Sequence, residues 1–116
     1  MAMPTLELEV GAQAGWQVLR VRGEVDISTA PRVRSQLMSL LSDGDPHLIV
    51  DMEGVRFLDS SGLGALVSAL KLARSRAGEM RLVCEGQRSV RKVLEVTGLE
   101  RVLDRYDSVE AAAAAA

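Results

Sequence analysis

The segment His47-Leu48-Ile49-Val50-Asp51-Met52 is a short, nearly continuous apolar run closed off upstream by Asp43-Gly44-Asp45-Pro46. Such a run marks a strand buried on both faces, which belongs in the middle of a sheet and needs other elements to cover it. The flanking sequence supplies them. After Thr29-Ala30-Pro31, Val33, Leu37, Leu40 and Leu41 recur at helical spacing, with Pro31 acceptable only in a first turn. Downstream, Leu63, Leu66, Val67, Leu70 and Ala73 form one stripe of a second helix that starts at Ser60-Ser61 and runs to about Ala77-Gly78. Met80 to Cys84 reads as a further strand, Val90, Val93 and Leu94 as a third helix closed by Gly98, and Val102-Leu103 as a last short strand. Asp107 with Glu110 has the spacing of a capping box before a final helix. Upstream, Leu6, Leu8 and Val10 alternate with Glu7 and Glu9, and Trp16 to Gly23 follows a turn over Gly11 to Gly15, which predicts a hairpin. The expected class is α/β: a mixed, largely parallel sheet of four to five strands with an N-terminal hairpin and about four helices.

At 116 residues the chain holds one domain over 1–116, with a core over about 5–110, and has no room for separate substrate and cofactor domains. The alanines at 111–116 carry no packing signal of their own. A net charge of −2 with interspersed acids and bases leaves no electrostatic footprint for nucleic acid. No apolar run approaches the ~18 residues of a membrane span, and Met1-Ala2-Met3-Pro4-Thr5-Leu6-Glu7 lacks the basic and apolar regions of a secretory leader, so a cytoplasmic protein is expected. One cysteine, Cys84, and one histidine, His47, cannot assemble a disulfide or a Cys/His metal cluster, and Cys84 reads as a small core residue. Neither a metal nor a cofactor is implied.

Chemistry concentrates in Asp59-Ser60-Ser61-Gly62-Leu63-Gly64, two hydroxyls beside a carboxylate where an apolar strand gives way to a helix. A helix start carries free N–H groups and partial positive charge, so its own domain tolerates a phosphate there while the new charge alters any partner-facing surface. Gly62 and Gly64 can serve the turn, let an enzyme approach the backbone closely, or do both. With the apolar stripe turned inward, Ala65, Ala69 and Leu72 fall on an outer flank of the second helix as a small-residue docking strip starting one turn after Ser61. Enzyme templates fail: the residue two before Ser61 is Asp59, not the glycine of a hydrolase elbow, and Gly62-Leu63-Gly64 has Val67 where a dinucleotide loop needs its third glycine.

Arg22-Gly23-Glu24-Val25-Asp26, Ser28-Thr29-Ala30-Pro31, Leu48-Ile49-Val50-Asp51 and Val55-Arg56-Phe57-Leu58-Asp59-Ser60-Ser61-Gly62-Leu63-Gly64 together resemble the STAS family, in its branch of bacterial anti-sigma factor antagonists of sporulation and stress pathways. The resemblance implies a non-catalytic, partner-switching phosphoprotein in transcription regulation. Its dephosphorylated form binds an anti-sigma factor that is also a serine kinase and so frees the sigma factor; phosphorylation breaks that complex and a metal-dependent serine phosphatase restores it. The phosphoacceptor maps onto Ser61, with Ser60 as runner-up. Asp26, in a loop facing the serines, and Asp59 become candidates for partner recognition with Ser60, Gly62 and Gly64. Two rivals stay open: a STAS subunit of a larger signalling assembly, and a small enzyme built on Asp26, Asp51 and Asp59.

Overall fold

The computed structural model describes residues 6–116. In chain order it contains β1 (Leu6–Gln13), β2 (Trp16–Val25), α1 (Ala30–Asp43), β3 (His47–Leu58), α2 (Ser60–Ser75), β4 (Glu79–Val83), α3 (Arg88–Thr97), a 3₁₀ turn at Leu99–Arg101, β5 (Asp104–Tyr106) and α4 (Val109–Ala114). The five strands lie side by side in that same order; β1 and β2 are antiparallel and every other pair is parallel. The hairpin turn is shorter than the sequence suggests. β1 continues through Gly11 to Gln13, leaving Ala14 and Gly15, both at positive φ (49° and 88°), as a two-residue loop whose twist matches that of the strands.

β3 is the central strand, and it runs six residues past the apolar run to Leu58. It stays paired because β3 bulges against β2, spending one residue more than its partner between Arg20 and Arg22 and again between Gly23 and Glu24. Gly23 sits at φ 110°, and a Cβ on Gly54 would meet the Arg22 side chain at 2.6 Å, so these two glycines permit the irregular stretch. β3 therefore ends beside the last residue of β2, with Leu58 opposite Val25, and delivers the following residues to the sheet's rim.

The strands' period-two alternation divides the interior in two. Leu19, Val21, Leu48, Val50, Met52, Met80, Leu82 and Cys84 point to one face, where α1, α2 and α3 close the main core with Val33, Leu37, Leu66, Ala69, Val90 and Leu94. Val18, Ile49 and Val83 point to the other, covered by Val109 and Ala112 of α4. Arg81 is buried on this second side. Its guanidinium stacks over Trp16 at 4.3 Å and Tyr106 at 5.1 Å, pairs with Glu79 at 3.2 Å, and donates to the carbonyls of Ala112 and Ala115. The alanines thus have a packing role. The cap of α4 is Ser108, not Asp107: the Ser108 hydroxyl accepts from Ala111 N at 3.0 Å.

Three further readings of the sequence are corrected. The last strand is Asp104–Tyr106 and not Val102-Leu103, because Gly98 in the left-handed conformation (φ 77°) feeds a 3₁₀ turn that displaces the strand, while Leu103 still reaches the core. Ala65 and Ala69 are buried, at 3% and 0% exposure, where α1 packs along α2, so they are no part of a solvent-facing docking strip. Small side chains are what lets the two helices approach; Leu72 is half-buried against the same core, and the α2 face left open carries Ser60, Gly64 and Lys71. Gly62 and Gly64 both have helical backbone, so neither is there to make a turn.

Candidate functional site

The rim where β2 and β3 end holds two acidic residues, each leading into a helix. Asp59 follows β3 in extended conformation (φ −108°, ψ −172°) and caps α2: its Oδ1 accepts from Ser61 N at 2.9 Å, from Gly62 N at 3.3 Å and from the Ser61 hydroxyl. Its own N–H donates to Val25 O at 3.2 Å, which pins the start of α2 to the end of β2. Asp26 follows β2 and organises the loop into α1. Its Oδ1 accepts from Ser28 N at 2.9 Å, Ser28 Oγ at 2.6 Å and Thr29 N at 3.2 Å, and buried Thr29 donates its hydroxyl to Glu24 O at 2.7 Å. The Ser61 hydroxyl, with the Gly62 and Ser61 amides, holds the Asp59 carboxyl below its ordinary range, against desolvation and the nearby charge of Asp26. The Ser28 hydroxyl, with the Ser28 and Thr29 amides, does the same for Asp26. Both are carboxylates at neutral pH.

The two serines differ in setting. Ser60 is exposed and its hydroxyl makes no side-chain hydrogen bond among the described residues; Ser61 is half-buried, its hydroxyl committed to Asp59. Ser61 lines an open cavity of about 270 Å³ between the two helix starts, whose other walls are Ile27, Ala30, Pro31 and Arg34 from the loop and α1, and Gly64 and Ala65 from α2. Ile27 is 80% exposed and Phe57, two residues before Asp59, is 48% exposed. Two large apolar side chains therefore stand in water on the segments that lead into α1 and α2, and Ile27 does so on the wall that Ser61 shares. Sequence reasoning missed Ile27, Pro31 and Arg34. The available signal was an isoleucine placed between Asp26 and Ser28 in a segment with neither strand nor helix periodicity.

Gly62 and Gly64 have different reasons to lack a side chain. A Cβ on Gly62 would stand 2.4 Å from Leu58 Cδ1 and 2.7 Å from Val25 Cγ1, so this glycine lets α2 seat on the ends of β2 and β3; a Cβ on Gly64 would meet nothing within 4 Å. Asp51 does not join the site. It lies within β3, where it pairs with Arg20 at 3.6 Å and accepts from Glu53 N at 3.0 Å, eight residues and so roughly 25 Å of strand from Asp59. The three-carboxylate arrangement that a small enzyme would have needed is therefore not assembled. His47, at the opposite end of β3, is half-exposed and bonded to Asp45 at 2.5 Å.

A family model described as STAS domain matches residues 7–112. The anti-sigma F factor antagonist of Paenibacillus polymyxa is 31% identical over 104 residues, covering 89% of this chain and 88% of that protein. The anti-sigma-B factor antagonist of Staphylococcus aureus is 29% identical over 105 residues, covering 90% and 96%. Among solved structures, an anti-sigma factor antagonist from Mycobacterium paratuberculosis superposes with a TM-score of 0.85 at 27% identity, over 97% of this chain and 95% of that one.

Proposed function

The chain belongs to the STAS domain family, and from that premise we propose that it is an anti-sigma factor antagonist whose binding is switched by phosphorylation of Ser61. Dephosphorylated, it holds an anti-sigma factor that is also a serine kinase and so releases a sigma factor; phosphorylated, it lets go; a metal-dependent serine phosphatase resets it. The observation that carries this reading is the placement of Ser61 at the head of α2, its hydroxyl on Asp59 and its side chain on the wall of the exposed cavity with Ile27 and Pro31. A partner seated over that cavity meets the serine directly. Phosphorylation replaces a hydrogen-bond donor to Asp59 with about two negative charges, beside a rim that already carries Asp26 and Asp59. A surface matched to the neutral hydroxyl then faces repulsion and a desolvation cost.

The catalytic machinery and the ATP belong to the kinase, and this chain contributes the acceptor and the surface around it. Asp26 and Asp59 hold the two helix starts in place and present the rim's charge.

Incubation with ATP and the anti-sigma kinases encoded in the same genome, followed by mass-spectrometric mapping, tests the reading. Phosphate on Ser61, absent in Ser61→Ala, is the expected result; phosphate retained by Ser61→Ala and lost in Ser60→Ala moves the assignment by one residue. In calorimetry, the phosphoprotein should bind the anti-sigma factor far more weakly than the unmodified chain, with Ser61→Asp between them. Equal affinities for all three would overturn the switch.

A further inference from the structure

The local geometry limits where a phosphate on Ser61 can go. Asp59 Oδ1 already accepts from Ser61 N, Gly62 N and the Ser61 hydroxyl, so the α2 amides facing Ser61 are taken by a carboxylate. Esterification removes the hydroxyl proton and sets a second anion against Asp59, with Asp26 close enough to raise the Asp59 pKa. Both carboxylates repel the new group, and its way out is the cavity that Ser61 lines.

One charged side chain lines that cavity. Arg34, four residues and one turn after Ala30 on α1, shares it with Ser61, Ile27, Ala30, Pro31, Gly64 and Ala65. Among the described residues Arg34 makes no ion pair, whereas Arg56, near the end of β3, is drawn to Glu24 at 3.9 Å. We infer that Arg34 is the counter-ion of the Ser61 phosphate, and that the pair it forms fills the cavity between α1 and α2. A guanidinium suits this role because its planar fork of donors grips phosphate oxygens at two points. Phosphorylation then acts twice: it adds charge to the rim, and it occupies from within the apolar recess that a partner side chain would otherwise enter. The inference rests on the reading of Ser61 as the phosphoacceptor.

Its test dispenses with the kinase. Phosphoserine is placed at position 61 during translation, and the second ionisation of the phosphate is followed by phosphorus NMR as pH is raised. A neighbouring guanidinium favours the dianion, so Arg34→Gln should raise that pKa by about 0.3–0.7 units, the shift expected of one solvent-accessible charge pair. Arg34→Lys should keep part of the wild-type value. Arg32→Gln, which removes an exposed cation from the same helix outside the cavity, should leave it unchanged. The Arg34 Nε–H resonance should titrate in step with the phosphate. An unchanged pKa in Arg34→Gln, or an equal rise in Arg32→Gln, overturns the assignment. The switch is judged separately, by anti-sigma binding of the wild-type chain with and without phosphate, so either conclusion can fail alone.

Discussion

Gly62 and Gly64 stand two residues apart on the first turns of α2, yet replacing each with alanine should move stability in opposite directions. At Gly62 the added methyl would fall 2.4 Å from Leu58 Cδ1 and 2.7 Å from Val25 Cγ1, both in the core and the valine stiff at χ1. Overpacking of this kind costs about 1–3 kcal/mol, and the better helix propensity of alanine offsets about 0.5–1 kcal/mol of it. The net loss is therefore about 0.5–2 kcal/mol. At Gly64 the methyl meets nothing within 4 Å, so only the propensity gain of about 0.5–1 kcal/mol remains. In urea, with a slope of about 1.5 kcal/mol per molar, the midpoint should fall by roughly 0.3–1.3 M for Gly62→Ala and rise by roughly 0.3–0.7 M for Gly64→Ala. Gly62→Ala should also be phosphorylated more slowly, because the displaced helix start carries Ser61 with it. A Gly62→Ala midpoint at or above the wild-type value refutes the close seating of α2 on the strand ends.

Ala69→Glu should collapse the fold without any selective effect on binding: the site is fully buried between α1 and α2, and an unpaired carboxylate there costs more than about 4 kcal/mol, a large part of a domain's stability. Lys71→Glu, exposed on the same helix, should change the urea midpoint little, and a wild-type midpoint for Ala69→Glu would refute the burial. Burial raises the Cys84 thiol from 9.0 to about 11. The unfolded chain therefore ionises first, so this group's contribution is intact below pH 9 and lost as pH climbs towards 11; Cys84→Ala should flatten that part of the stability profile, and thiol reagents at pH 8 should label Cys84 only as fast as the chain opens.

The sequence made the strands and long helices legible because their periodicities, at 6–10, 47–52 and 63–73, reflect burial on one face or two, and the sheet class follows from their alternation. It also placed the Asp59-to-Gly64 segment at a strand-to-helix junction, where Asp59 caps α2 and Gly62 seats it on the strand ends. It misassigned Ala65 and Ala69 because alanine reads the same on a wet face as in a tight helix–helix seam; only the path of α1 decides, and nothing local to α2 encodes it. Asp51, a site candidate only for the small-enzyme rival, is kept from the site by the length of its strand. The apolar run stops at Met52, but β3, bulged against β2, continues to Leu58 and leaves Asp51 far from the rim that Asp26 and Asp59 share. Arg34 and Ile27 were illegible because a cavity is made by elements distant in sequence, and neither residue carries a motif of its own.

The strands lie in space in the order in which they occur along the chain. Each new strand joins the free edge left by its predecessor, and none has to wedge between two already paired. A sheet of this kind can grow in one direction as the polypeptide leaves the ribosome, the hairpin first, then each helix-and-strand unit laid against a surface that already exists. The rim that bears Asp26 and Ser61 is complete once β3 and α2 have docked, before β4 is added. That rim can thus be assembled once about two-thirds of the chain has been made, with the remaining strands serving to lock it in place.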